Sequence, residues 1–355
     1  MTQNNDVKQL IASHQRRLHK LKELQALAGA SVDPRILIEI EDIETKIEEL
    51  QAALDIADNT QTISLRPPSP VKSIDQPDQL TPFVVGPPIM HPRYFFGRER
   101  ELKRLFNLWK RRPLQNAAII GNRRSGKTSL LFYLKHITTT PIEQLRVGQR
   151  TDWLSEPERY NWIYVDFQDP RLGNPEMLLR YLLSCMGLSA PTPCSLGRFL
   201  DVTSYNIHVP TVIILDEIGL ALQRYPELDD TFWEGLRALA TYQVSGNLAF
   251  VLAAHEAPDQ LAHQSGFGSP FFNIFGYTTR LGPLKEAEAC ELIASSPIPF
   301  STDDTEWILT QSEGWPILLQ TLCRERLITL EEGEVDEAWR EDGLEQMQPF
   351  QHLLD

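Results

Sequence analysis

The chain has 355 residues, with 34 Lys and Arg against 48 Asp and Glu for a formal net charge of −14, and 42% of it is hydrophobic. That is length for two domains, or one large domain with appendages, and enough apolar residue for a real core, while the charge repels phosphodiester backbones and counts against nucleic acid as the main partner. No apolar run approaches a membrane span, and the polar start Met1-Thr2-Gln3-Asn4-Asn5-Asp6 lacks a signal-peptide core, so a cytoplasmic location without a membrane partner is expected.

Residues 6–57 read as a helical hairpin. Val7, Ile11, His14, Leu18 and Leu21 recur at three- and four-residue steps along a first arm; Ile36, Ile40, Ile43, Ile47, Leu50 and Leu54 do so along a second. Ala28-Gly29-Ala30-Ser31-Val32 breaks the pattern, and Asp33-Pro34 supplies an N-cap and an N1 proline for the second arm. Such a seam, over 1–57, serves either an intramolecular hairpin with no further role or a docking module whose spare apolar edge meets a protein partner or another copy of the chain. The basic stretch from His14 to Lys22 lies on the first arm, interleaved with Leu18 and Leu21, in the pattern of a solvated helix face. Over 58–92, prolines at 67, 68, 70, 77, 82, 87, 88 and 92 interrupt polar sequence, which predicts a semi-extended linker that lets hairpin and body move independently.

A body is expected over 93–282. It opens with Tyr94-Phe95-Phe96-Gly97-Arg98-Glu99-Arg100-Glu101-Leu102, followed by a helix carrying Leu102, Leu105, Phe106 and Trp109 on one face. Strands at 114–120, 162–167, 212–215 and 248–254 alternate with helices around 128–135, 175–186 and 230–241. This is the pattern of a parallel sheet covered on both faces, an α/β fold. Beyond Pro283 helices are expected at 285–295, 303–312 and 316–327, forming a small all-α lid over 283–328. Residues 329–355 read as an acidic tail. Cys185, Cys194, Cys290 and Cys323 lack C-x-x-C spacing and are expected as free, mostly buried thiols.

Gly121-Asn122-Arg123-Arg124-Ser125-Gly126-Lys127-Thr128 fits G-x-x-x-x-G-K-[ST] and sits between the first predicted strand and a helix. A glycine-rich turn there aims backbone N–H groups and a helix N-terminus at one spot, which suits phosphate. Lys127 would reach the β- and γ-phosphates of ATP or the β-phosphate of ADP, the Thr128 hydroxyl would hold Mg²⁺, and Ser129 joins the loop's nucleotide contacts. Downstream, Thr211-Val212-Ile213-Ile214-Leu215-Asp216-Glu217 is a buried strand ending in two acids. Asp216 would bind Mg²⁺ through water, and Glu217 would polarise the attacking water. The strand at 248–254 ends in His255, which is either a sensor of nucleotide state that positions water or a loop histidine beside the site.

The lead-in segment, the glycine-rich loop, the Asp216-Glu217 pair and Gly314-Trp315-Pro316-Ile317-Leu318-Leu319-Gln320 occur in this order. Together they resemble the prokaryotic STAND ATPases and the related AAA+ P-loop ATPases, over about residues 92–328. The resemblance implies an AAA+-like parallel-sheet core with a C-terminal helical lid, in addition to the N-terminal α-helical hairpin. It implies that Phe96, Gly97 and Arg98 lie against adenine and ribose and that Pro316 stands near the base. The hairpin is similar to adaptor helices of cyanobacterial conflict and signalling proteins. Two departures stand out: no arginine follows the Gly-Trp-Pro turn until Arg324, and Ser269-Pro270-Phe271-Phe272-Asn273-Ile274-Phe275 offers asparagine where an arginine finger is expected, with Arg280 the nearest arginine. Losing such an arginine forfeits about 10³-fold or more in rate. The resemblance therefore implies slow or partner-activated hydrolysis by a signalling or assembly switch, recruiting partners through the hairpin or by self-association, as in prokaryotic defence. A DNA-associated AAA+ ATPase, such as a transposition regulator or initiator-like loader, is the alternative, and a small-molecule kinase sharing the loop is a third.

Overall fold

The apolar runs at the centre of the chain form strands buried along their whole length, as a parallel sheet covered on both faces requires. The computed structural model describes residues 82–264, 270–334 and 336–354. The chain divides into two units, Met1–Pro68 and Ser69–Asp355, and the described residues all belong to the second. The expected hairpin and the linker up to residue 81 lie outside the described residues. The elements run α1 (Glu99–Trp109), β1 (Ala117–Ile120), α2 (Lys127–His136), β2 (Asn161–Asp166), α3 (Pro175–Cys185), α4 (Leu196–Asn206), β3 (Thr211–Asp216), α5 (Ile218–Arg224), α6 (Asp230–Ala238), β4 (Leu248–Ala254), α7 (Pro258–Gln264), β5 (Tyr277–Arg280), α8 (Glu286–Ile293), α9 (Thr302–Ser312), α10 (Pro316–Glu331) and α11 (Ala338–Met347).

The strand order is β2-β3-β4-β1-β5, every pairing is parallel, and β1, β3 and β4 are buried throughout. All carboxyl ends therefore meet along one edge, and the loop after β1 lies where the strand order reverses, the place open α/β sheets reserve for ligands. β1 starts three residues later than expected. The Asn116 side-chain carbonyl accepts from the Phe250 amide (2.7 Å), and Leu114 and Gln115 donate to Gly246 and Leu108, outside the ladder. The sequence reading missed β5, a polar edge strand with alternate residues exposed, and α4, which follows a proline-broken loop.

One core layer packs α1 and α2 on the sheet, with Phe106 stacked on Trp153 at 5.1 Å and Trp109 edge-on to Trp162 at 5.3 Å. Elsewhere Trp233 meets Phe271 at 5.2 Å. Phe271, Phe272 and Phe275 are buried, so the segment considered for an arginine finger plugs the core. The four cysteines are free; Cys194 and Cys323 are buried and the other two half-buried.

The lid is larger than the sequence suggests. α10 continues to Glu331, and α11 folds back on it, with Trp339, Met347 and Leu353 buried in the lid core; the stretch read as an acidic tail is structured because these apolar residues recur on one face. Within the lid, buried Asp304 accepts from Arg326 (2.9 Å) and Arg340 (3.3 Å), and both guanidiniums stand over the Trp339 ring. Gly314 turns the chain into α10 at φ +77°, and a Cβ there would stand 2.7 Å from the Leu284 carbonyl oxygen. Asp304→Ala leaves two arginines without their shared carboxylate, and a loss of about 3–5 kcal/mol is expected in urea unfolding. An unchanged midpoint would show that the network carries no stability.

Candidate functional site

The loop after β1 turns twice through left-handed backbone, at Arg124 (φ +69°) and Gly126 (φ +91°), and delivers the chain into α2. The amides of Gly126, Lys127 and Thr128 find no acceptor among the described residues, as the first turn of a helix dictates, so they form an anion-seeking cradle. The Lys127 ammonium, 6% exposed, donates to the Gly121 and Asn122 carbonyls at 2.9 and 3.1 Å. Burial lowers its pKa, and the charges of Glu217, Asp216 and Glu256 oppose that shift.

Asp216, 2% exposed, ends β3 opposite Asp166 of β2 in strict register. Its Oδ2 accepts from the Tyr164 hydroxyl at 2.8 Å and its Oδ1 from the Glu217 amide at 3.0 Å, and the nearby Thr128 hydroxyl helps to lower its pKa. Burial raises the Asp216 pKa, against the hydrogen bonds from Tyr164 and Thr128, and burial likewise raises that of Asp166. Tyr164 is held as a neutral phenol, first by burial and then by the charge of Asp216. Glu217 occupies left-handed backbone (φ +55°) at the start of α5. A non-glycine residue there is uncommon, and such conformations cluster at functional sites.

These groups surround a cavity of about 450 Å³, within the ordinary size of a small-molecule site. Its walls bring together Arg123, Arg124, Gly126, Lys127, Thr128, Ser129, Asp216, Glu217 and Pro316 from the sequence reading. Phe96, Arg98 and Ser125 line an adjoining cleft of about 50 Å³ that shares Ile89, Gly126, Ser129, Pro316 and Gln320 with it. Gly121 and Asn122 act from behind, through the carbonyls that hold Lys127.

Two expected residues stand elsewhere. His255 is exposed beyond the end of β4 and lines neither space; its neighbour Glu256 is the one whose charge reaches Lys127. Gly97 packs against the lid, where a Cβ would meet Glu288 at 2.9 Å, so its φ of +71° serves close approach of α8. Arg98 lines the cleft but spends its guanidinium on carbonyls: Pro283 at 3.2 Å, Ser125 at 3.4 Å, and Gly282. It clamps the loop to the start of the lid. The candidate arginines do not reach the cavity either: Arg280 is exposed, and Arg324 pairs with Glu325 at 2.8 Å.

The sequence reading missed a whole wall. Residues 84–90, expected as linker, form a strap across the loop and line the cavity. Val84 donates to Gln320 of the lid (2.9 Å), Ile89 to the Ser129 hydroxyl (3.0 Å), and Arg124 to the Gly86 carbonyl. Phe83 is fully buried in the lid core. Tyr164, Asp166, Gln168, Phe132 and Gln320 complete the lining. Asp166 had a readable signal, an acid at the end of a predicted strand; the strap had none, because its contacts are all made with distant residues.

No family model matches the chain, and no curated protein does. Among solved structures it is similar to the Walker-type ATPase paby2304 of Pyrococcus abyssi, with a TM-score of 0.52 and 16% identity over 76% of this chain and 77% of that one. It is also similar to the ORC2 protein of Aeropyrum pernix, solved in ADPNP–ADP complexes, with a TM-score of 0.52 and 14% identity over 72% and 70% of the two chains. A STAND protein with a tetratricopeptide repeat sensor from Pyrococcus horikoshii aligns at a TM-score of 0.39, too distant to weigh between classes. The likeness is one of fold: the parallel sheet and its flanking helices are arranged as in these proteins.

Arg98→Lys keeps the charge but loses the fork that reaches three carbonyls. It is expected to cost about 1.5–3 kcal/mol in urea unfolding; an unaltered midpoint would remove the clamp.

Proposed function

We propose that the chain binds ATP and ADP and hydrolyses ATP slowly, as a STAND- or AAA+-like nucleotide-dependent switch. The observation that carries this reading is the meeting of the Lys127–Thr128 loop, the Asp216–Glu217 strand end and the Pro316 turn of the lid around one cavity. The amide cradle and Lys127 bind and neutralise phosphate. Glu217 orients and polarises a water toward the terminal phosphate. Among the described residues no three His, Cys, Asp or Glu side chains form a metal site of their own. The hydroxyl of Thr128 beside the carboxylate of Asp216 is nonetheless a hard oxygen pair that suits Mg²⁺, and these two residues would hold it. Bound there, Mg²⁺ would neutralise phosphate charge.

Pro316, Ile317 and Gln320 form the lid's part of the wall, so among the described residues the lid brings no cation to the cavity. That favours a switch over a motor, since a missing arginine is worth about 10³-fold or more in rate. In this reading nucleotide exchange alters the contacts between lid, strap and loop, and the N-terminal hairpin recruits a protein partner or further copies, in prokaryotic signalling or defence. Lys127→Ala is expected to abolish nucleotide binding in calorimetry, and retained affinity would refute the phosphate assignment. Glu217→Gln is expected to bind ATP normally and lose about 10²-fold or more in phosphate release; normal turnover would move the base elsewhere.

A second reading, a DNA-associated ATPase, is favoured by one observation. Arg100, Lys103, Arg104, Lys110, Arg111 and Arg112 form an exposed basic strip along and just beyond α1, and none has a carboxylate partner among the described residues. Duplex DNA binding at low salt that disappears on reversing the charges of Lys103 and Arg104 would establish that reading, and no binding at low salt would remove it.

A further inference from the structure

We propose that Tyr164 is a positioning residue for the metal-bound nucleotide: its hydroxyl holds the Asp216 carboxylate in the orientation from which that group receives Mg²⁺. The inference rests on the reading of the cavity as an ATP site and deepens it.

Side chains two apart on a strand share a face, so Tyr164 and Asp166 both look toward α2 and the cavity. The register pairs Tyr164 with Ile214 and Asp166 with Asp216, which leaves Asp216 one step diagonally along the sheet from the tyrosine. A phenol is long enough to cover that step, and the hydroxyl arrives 2.8 Å from Oδ2. The other groups around the Asp216 carboxylate are the amide donated by its own chain neighbour, Glu217, and the nearby hydroxyl of Thr128 in the glycine-rich loop. Both belong to segments that face the phosphates. Among the described residues Tyr164 alone ties the carboxylate to a neighbouring strand, so it fixes the plane of the carboxylate independently of the loop.

The tyrosine is itself held from three sides. Phe132 of α2 lies 4.8 Å from its ring, the Lys135 ammonium stands 5.8 Å from the ring centre, and the backbone carbonyl of Tyr164 accepts the Tyr181 hydroxyl at 2.7 Å. A ligand whose outer partner is locked in this way keeps its lone pairs aimed, and loss of such a partner commonly costs about 10–100-fold in metal affinity. A tyrosine that merely filled the core would affect folding and all nucleotide binding alike. One that orients Asp216 affects only the metal-bound form.

The test is equilibrium binding of ADP to full-length wild type and to Tyr164→Phe, each in excess Mg²⁺ and in EDTA, with thermal unfolding of both. The variant is expected to bind ADP in EDTA within about twofold of wild type and to lose about tenfold in Mg²⁺. In an Asp216→Asn background the tyrosine substitution is expected to change nothing further, because the two residues act as a unit. An equal loss in both buffers, or no loss in Mg²⁺, overturns the proposal. So does a Tyr164→Phe effect that persists undiminished in Asp216→Asn. Should Tyr164→Phe unfold early, Tyr164→Leu is read by the same ratio of the two buffers. Wild-type protein that binds no ADP in either buffer refutes the ATP reading itself, a result distinct from any of these.

Discussion

An arginine that is 6% exposed must have its guanidinium donors met, and the way Arg98 meets them organises the molecule. Burial lowers its pKa, with the charges of Glu101 and Glu288 opposing, and its nearest acceptors are backbone carbonyls rather than a carboxylate. Those carbonyls come from the glycine-rich loop and from the two residues that lead into the lid. One side chain, carried on left-handed backbone at the start of α1, therefore ties the amide cradle of the loop to the lid.

Around that clamp the cavity is assembled by convergence. Parallel pairing brings the acids of β2 and β3 to one edge, the helix N-terminus brings positive dipole, and the strap closes the side that the sheet leaves open. Buried charges of both signs then sit within one space: Lys127 is stabilised by Glu217, Asp216 and Glu256 against the cost of its burial, and Asp216 by hydroxyl donors against the same cost. The strap matters because its three tethers come from the lid, the loop and α2, so it links all three.

Much of this was legible in local pattern. The glycine-rich loop and the Asp216-Glu217 strand end are short motifs whose flanking periodicity places them, and four strands and most helices followed from apolar runs of the right length. The late start of β1 was not legible, because it depends on the Asn116 side chain substituting for a backbone acceptor. β5 escaped because an exposed edge strand needs no apolar run, and α11 because acidic residues masked the spacing of Trp339 and Met347. His255 was drawn toward the site by its position after a strand, yet it is exposed and outside the lining.

By itself the sequence determined that a glycine-rich turn joins a buried strand to a helix, and that a second buried strand ends in two carboxylates. Those are properties of a few neighbouring residues, set by backbone geometry and hydrophobic periodicity. The tertiary structure alone decided the strand order that sets Asp166 beside Asp216 and the reach of Tyr164 across it. It also decided the use of Arg98 as a clamp and the folding of a proline-rich stretch into a wall. Each of those rests on partners tens to hundreds of residues apart, brought together by packing that no local pattern records.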